Sequence, residues 1–231
     1  MYFYDPLYLL VMGVALVLGL GAQAWVTFAV RAQSGVPLRS GMSGADVASL
    51  VLRRSGLAGV RIEETTGWLS DHYDPTTRTL RLSPDNFEGR SVAAAGIAAH
   101  EAGHAIQHAQ GYWPMGVRQK LVPLANLGTQ LGVLLIAFGM FLGMFGLAKI
   151  GVVVFAAFVL FTIVTLPVEI DASVRAHRAL AATGALAPAE LDGVGRVLRA
   201  AAATYVAATL TAILQLLYYG LRVFGGGRRD D

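Results

Sequence analysis

The strongest constraint on this chain is where its charge is missing. Leu7 to Val30 (24 residues), Leu121 to Ala148 (28), Ile150 to Val168 (19) and Ala200 to Leu221 (22) contain no Asp, Glu, Lys or Arg. A helix needs about 20 apolar residues to cross the hydrocarbon core of a bilayer, so each block is long enough. The first three, at 7–30, 121–148 and 150–168, are rich in Leu, Val, Phe, Met and Gly and are expected to be transmembrane helices. The fourth carries Thr204, Thr209, Thr211, Gln215, Tyr218 and Tyr219 among its alanines. Over 200–224 a spanning helix and an interfacial one therefore both stay open. The expected class is a mainly α integral membrane protein, with three to four transmembrane helices and a small α+β insert at 31–120.

Composition narrows the function. Charged residues make up 14% of the 231, against about a quarter in a soluble domain. A formal net charge of +3 is too weak to suggest a nucleic-acid surface. With no cysteine, disulfides, thiol nucleophiles and Cys-ligated metals are excluded, so a metal site must use His and carboxylates. Ala22-Gln23-Ala24 looks like a signal cleavage site. The residues before it lack a basic start and the apolar run continues to Val30, so an uncleaved anchor is the expectation.

Lys and Arg set the orientation. Ten lie in 31–120, four in 167–199, and only Lys149 lies between the second and third blocks. The positive-inside rule places 31–120 and the helical segment 169–199 in the cytoplasm. Arg222, Arg228 and Arg229 in the tail fit that arrangement poorly if the fourth block spans.

Within the insert, Ser43-Gly44-Ala45-Asp46 opens a short helix ending near Gly56. Val60–Ile62 and Thr79–Leu82 read as two short strands, with Asp74-Pro75-Thr76 as a turn between them. Ser91 opens a helix over 92–110, with Gly111 as its stop.

That helix carries His100-Glu101-Ala102-Gly103-His104. At 100° per residue the two histidines sit about 40° apart, one turn above the other, so both imidazoles can reach one Zn²⁺. The cation lowers the pKa of water toward about 7. Glu101 is placed as general base for attack on a peptide carbonyl, passing its proton to the leaving amine. Zinc needs a third protein ligand. Metzincin spacing would put a histidine where Gln110 stands. His108 lies about 80° round the helix from His100 and reads as a polar flank residue. Glu169, just past the third block, is the candidate. A carboxylate there is unfavourable unless paired or ligated, and Asp171 is a candidate acceptor for a ligand His N–H. The second and third blocks form a hairpin, so residues 120 and 168 emerge on one side.

The sequence resembles the YugP-like family of membrane neutral zinc metallopeptidases. The resemblance is carried by Leu69-Ser70-Asp71-His72-Tyr73-Asp74-Pro75, Leu80-Arg81-Leu82-Ser83, Ala98 to His108, and Leu166 to Glu169 with Asp171-Ala172-Ser173. It is more distantly similar to the HtpX-like gluzincins, whose pattern Glu-x-Glu-Ala-Asp matches Glu169, Asp171 and Ala172. Ser173 replaces the final Asp, which argues against the usual hydrogen bond from that position. The resemblance implies one Zn²⁺ per chain on His100, His104 and Glu169, and a polypeptide substrate. It also implies that Leu80–Ser83 is the edge strand on which substrate lies, with Tyr73 or His72 donating to the oxyanion and His177 as a further candidate donor.

The expected function is therefore a membrane-anchored zinc metalloendopeptidase of the cytoplasmic membrane, with its active site facing the cytoplasm. Membrane-associated proteins are its expected substrates, and no nucleic-acid partner is expected. The alternative is an inactive zinc-stabilised membrane scaffold. A transporter is disfavoured, because the apolar blocks hold almost no ionisable groups to mark a pathway.

Overall fold

The structure, a computed structural model, describes residues 5–67 and 70–225. Leu69 of the family-like stretch, and Arg228 and Arg229 of the orientation count, lie outside them. The described chain is mostly helical. In order it contains α1 (Pro6–Ser34), α2 (Gly44–Arg54), β1 (Arg61–Glu64), β2 (His72–Asp74), β3 (Thr79–Leu82), α3 (Pro84–Phe87) and α4 (Val92–Ala109). There follow α5 (Trp113–Leu127), a π-helical turn (Gly128–Gly132), α6 (Val133–Phe141), α7 (Phe145–Thr183) and α8 (Pro188–Gly225).

Four helices are long and apolar enough to cross a membrane: Pro6–Ser34, Trp113–Phe141, Phe145–Thr183 and Pro188–Gly225. The fourth sequence block is thus part of a 38-residue helix that meets this criterion of length and composition. At 1.5 Å per residue, the 39 residues of α7 exceed the roughly 30 Å apolar core of a bilayer. The surplus turns carry Glu169. Pro167 lies inside α7 without ending it. Many large apolar side chains of α1 are exposed, Val17 at 71% and Leu10 at 63% among them, a surface suited to lipid rather than water.

The chain divides into two compact units. The first comprises the described parts of Met1–Ala22, Gly116–Pro167 and Thr204–Asp231. Its core is Ile136, Ala148, Val152, Phe155, Val159 and Ala212. Small residues set its helix spacing. A Cβ on Gly139 would fall 2.4 Å from the Ala148 nitrogen, and one on Gly151 would fall 2.6 Å from the Ile136 nitrogen. Apolar burial gives membrane helices little driving force to associate, so backbone approach of this kind carries the packing. Thr209 adds a hydrogen bond to the Thr162 carbonyl at 3.2 Å.

The second unit, Gln23–Met115 and Val168–Ala203, holds the sheet and the candidate site. Ser43 caps α2 in a reciprocal capping box with Asp46, which holds the Asp46 carboxyl below its usual range. Ser91 caps α4 through the Ala94 N–H at 3.2 Å. The core joins Val47, Val51 and Leu52 of α2, Leu80 and Leu82 of β3, the alanine face of α4, and Val168, Ala176 and Leu180 of α7. Glu190 is buried. It accepts from the N–H groups of Ala187 and Arg39, both at 2.7 Å, so it caps α8 and ties down the loop after α1.

The sheet departs from expectation. It has three strands, in the order β1-β3-β2. β1 runs parallel to β3, and β2 antiparallel to it. Leu80–Ser83 is therefore no edge: β3 is the central strand, and its side chains Leu80 and Leu82 are fully buried. The free edges belong to β1 and β2. The three residues of β2, His-Tyr-Asp, are too short and polar to show a strand pattern. Asp71 secures the start of β2, accepting from the Ser83 N–H at 2.8 Å and the Asn86 side chain at 2.9 Å.

Candidate metal centre

Helix α4 brings His100 and His104 to one face. Their rings meet edge-on with centroids 4.8 Å apart. Glu169 arrives from α7, and close contact between the helices puts it there. A Cβ on Gly103 would stand 2.3 Å from the Ala172 carbonyl oxygen, so only glycine allows this approach. Glu169 lies one turn before Ala172 and faces α4 with it.

The Glu169 Oε2 is 3.1 Å from Nε2 of His100 and 3.6 Å from Nε2 of His104. One ligand atom from each of the three residues falls within 4.8 Å of the others, a group that could hold a metal ion. A tetrahedral ion with bonds of about 2.0–2.1 Å keeps its ligands about 3.4 Å apart. The donor set, two imidazoles and a carboxylate, suits zinc. Glu169 is only 2% exposed and His104 7%, and a buried charge needs a partner of this kind.

The opposite ring nitrogens are also held. Nδ1 of His104 pairs with the Gln107 amide oxygen at 3.0 Å. Gln107 is fully buried, and its amide nitrogen donates to the Val168 carbonyl and to Asp171, both at 2.8 Å. Nδ1 of His100 lies 3.2 Å from the Ser173 hydroxyl. Both rings thus present Nε2 to the same point, with orientation fixed from behind. Burial opposes a proton on His104. The Glu169 hydrogen bond and the charges of Glu101 and Glu169 outweigh it, so the imidazole sits above its ordinary pKa. A cation at this point takes the place of that proton.

Two expectations about these supporting contacts change. Asp171 does not receive a ligand histidine directly; it holds Gln107 and Arg175. Ser173 supplies the hydrogen bond that its replacement of Asp had argued against, because a hydroxyl also reaches Nδ1 from the turn after Glu169. Gln107 lies inside the family-like stretch Ala98 to His108, but nothing in the sequence assigns it a role. Its position three residues after His104 was the available signal.

Glu101 is buried on α4 beside His104. Tyr73 and His72 sit on β2, where neighbouring side chains point to opposite faces. Tyr73 turns toward α4, its hydroxyl 2.9 Å from Nδ1 of His108. Burial keeps its phenol above the usual pKa, so it remains a proton-bearing group at neutral pH. His72 points the other way, exposed, with Nδ1 2.7 Å from the Ser70 carbonyl; it is not brought to the cluster. His177 lies against Gly195 of α8, two turns past Glu169.

Long apolar helices and a largely buried two-histidine, one-carboxylate cluster define a membrane protein with a candidate metal centre. The comparisons name the group. The chain belongs to the family described as "Putative neutral zinc metallopeptidase", whose model matches residues 8–223. It is also similar to "Putative membrane protease YugP" of Bacillus subtilis (strain 168), with 40% identity over 216 residues, 92% of this chain and 96% of the relative. No solved structure matches it.

Proposed function

We propose that this protein is a membrane-anchored zinc-dependent metalloendopeptidase of gluzincin type, with His100, His104 and Glu169 as metal ligands and Glu101 as general base. The observation that carries this reading is the convergence of two Nε2 atoms on the Glu169 carboxylate, with each Nδ1 held from behind. When bound, zinc lowers the pKa of water toward about 7 and polarises the substrate carbonyl. Glu101, beside His104 on the same helix, takes the proton of the attacking water and returns it to the leaving amine. Gln107 and Ser173 keep the imidazoles aligned. Of the two candidate oxyanion donors on β2, Tyr73 shares the α4 side and is kept as a substrate-facing residue; His72, on the other face, is not. The H-E-x-x-H helix and the small sheet form the catalytic insert at 31–120, completed by the segment 169–199. The Lys and Arg count supports a cytoplasmic membrane location with the site facing the cytoplasm. Polypeptides, including membrane-associated ones, are the substrates that fit such a site.

The test uses purified full-length protein in detergent with zinc. It should hydrolyse denatured casein, and Glu101→Gln should abolish hydrolysis while keeping one zinc per chain. A zinc-loaded wild type that cleaves nothing favours the scaffold alternative.

A further inference from the structure

A cavity of about 430 Å³ opens beside α4. Its lining includes Tyr73, Arg78, Ala105 and His108, together with the exposed Gly56 and Gly59. Ala105 is one turn after Glu101 and adjoins His104, and His108 is one turn further. Along the helix axis His108 stands about 6 Å beyond His104, a length that about two residues of an extended peptide cover. A Cβ on Gly56 or Gly59 would meet no atom within 4 Å; both glycines leave open space that a side chain would fill.

The chemistry of the wall is specific. Arg78 adopts φ +50°, the only described non-glycine residue with positive φ. It ends the β2–β3 connection, in a conformation that glycine or asparagine takes more readily. An arginine kept in a disfavoured backbone state points to use of its side chain. Among the described residues Arg78 makes no ion pair, whereas its neighbour Arg81 is held by Asp74 and Glu63. The Tyr73–His108 pair adds a hydrogen. If the phenol donates to Nδ1, a neutral imidazole carries its own hydrogen on Nε2. If Nδ1 donates instead, the phenol hydrogen is free. Either tautomer leaves one donor over. Among the described residues no acid lines the cavity. Nearby Asp74 is occupied by Thr76, Thr77 and Arg81.

We propose that this cavity is a substrate subsite for a carboxylate, bound by the Arg78 guanidinium with the spare hydrogen of the Tyr73–His108 pair. The carboxylate comes from an acidic side chain near the cut bond or from the substrate's C-terminus. The inference rests on the peptidase reading and deepens it. Arginine presents a planar fork matched to carboxylate.

The test measures binding, so that it stands apart from catalysis. Full-length Glu101→Gln protein in detergent, loaded with zinc, is titrated with fluorescein-labelled hexapeptides read by polarisation. One peptide contains a single Glu and its partner Gln in the same place, each with a free or an amidated C-terminus. The Glu peptide, the free-terminus peptide, or both should bind about tenfold more tightly than the neutral amide, with the preference shrinking at high salt. The arm that carries the preference identifies the source of the carboxylate. Arg78→Gly, which suits the backbone conformation and so should fold, is expected to erase the preference. Gly59→Leu should weaken all four peptides by filling the cavity. Equal affinities for all four peptides, a preference that survives Arg78→Gly, or no response to Gly59→Leu overturns the proposal. Cleavage by the wild type is scored separately: peptides bound with this preference but never cut would overturn the peptidase reading and leave the carboxylate site standing.

Discussion

Gly103→Ala tests the geometry on which the metal centre depends. The added methyl would lie 2.3 Å from the Ala172 carbonyl oxygen and 3.0 Å from its carbon, where ordinary contact begins at 3.4 Å. The clash is with backbone, which has no rotamer to yield, so α4 and the Val168–Thr183 part of α7 must separate by about 1 Å. Metal–ligand distances tolerate only about 0.2 Å. Glu169, one turn from Ala172, moves with its helix, and the 3.1 Å and 3.6 Å separations from the two imidazoles open accordingly. A weakened supporting contact typically reduces metal affinity 10–100-fold. Displacing a ligand should reach at least the upper end of that range. Overpacking should also lower stability by about 1–3 kcal/mol.

The assay is competition for zinc against a chelator of known affinity at neutral pH. Gly96→Ala, on the same helix, is the matched control. Its Cβ would meet Val194 at 3.6 Å, an ordinary contact, and alanine is the better helix former by up to about 1 kcal/mol. Gly96→Ala should bind zinc as the wild type does and melt no lower. Gly103→Ala with wild-type zinc affinity would refute the claim that this close approach positions Glu169.

Gln107→Leu removes the bridge from His104 to Val168 and Asp171 at similar volume, and should weaken zinc binding about 10–100-fold, read by the same competition. Ser173→Ala should cost about tenfold through His100 alone, and Ser173→Asp should restore it; if the aspartate variant is the weaker, the hydroxyl contact has been misread. Asp74 is held below its ordinary pKa, first by the Thr77 hydroxyl and further by Thr76 and Arg81, with burial opposing. Because the folded value is depressed, its contribution is fully present above about 3.9, the value of an unfolded aspartate, and is lost as pH falls from there through the folded value. Amide exchange over residues 72–82 should therefore show a protection difference between wild type and Asp74→Asn that is constant above about pH 5 and shrinks below it.

How much of this was legible in the sequence depends on range. The apolar blocks, the capped helices at Ser43 and Ser91, and the pair His100–His104 all follow from local rules of spacing and capping. Glu169 was reachable from 65 residues away because an acid at the end of an apolar helix demands a partner. What escaped depends on contacts that no local pattern encodes. β2 is too short to alternate visibly, so local pattern offers only two strands, and the edge position that the resemblance implies for Leu80–Ser83 fails because β2 flanks β3. Gln107 looks like any polar residue of a helix until α7 is laid against it, when its amide becomes the one group that can serve His104, Val168 and Asp171 together. Ser173 departs from a carboxylate pattern and so looks like a loss. Yet the requirement at that place is only an oxygen within reach of Nδ1. Gly103 links the two kinds of information: its residue type is visible in the sequence, but its necessity appears only when the carbonyl of Ala172 occupies the space a methyl would take. The three residues of such a cluster can be read from helical period and charge, whereas the residues that hold them still are fixed by how closely two helices approach.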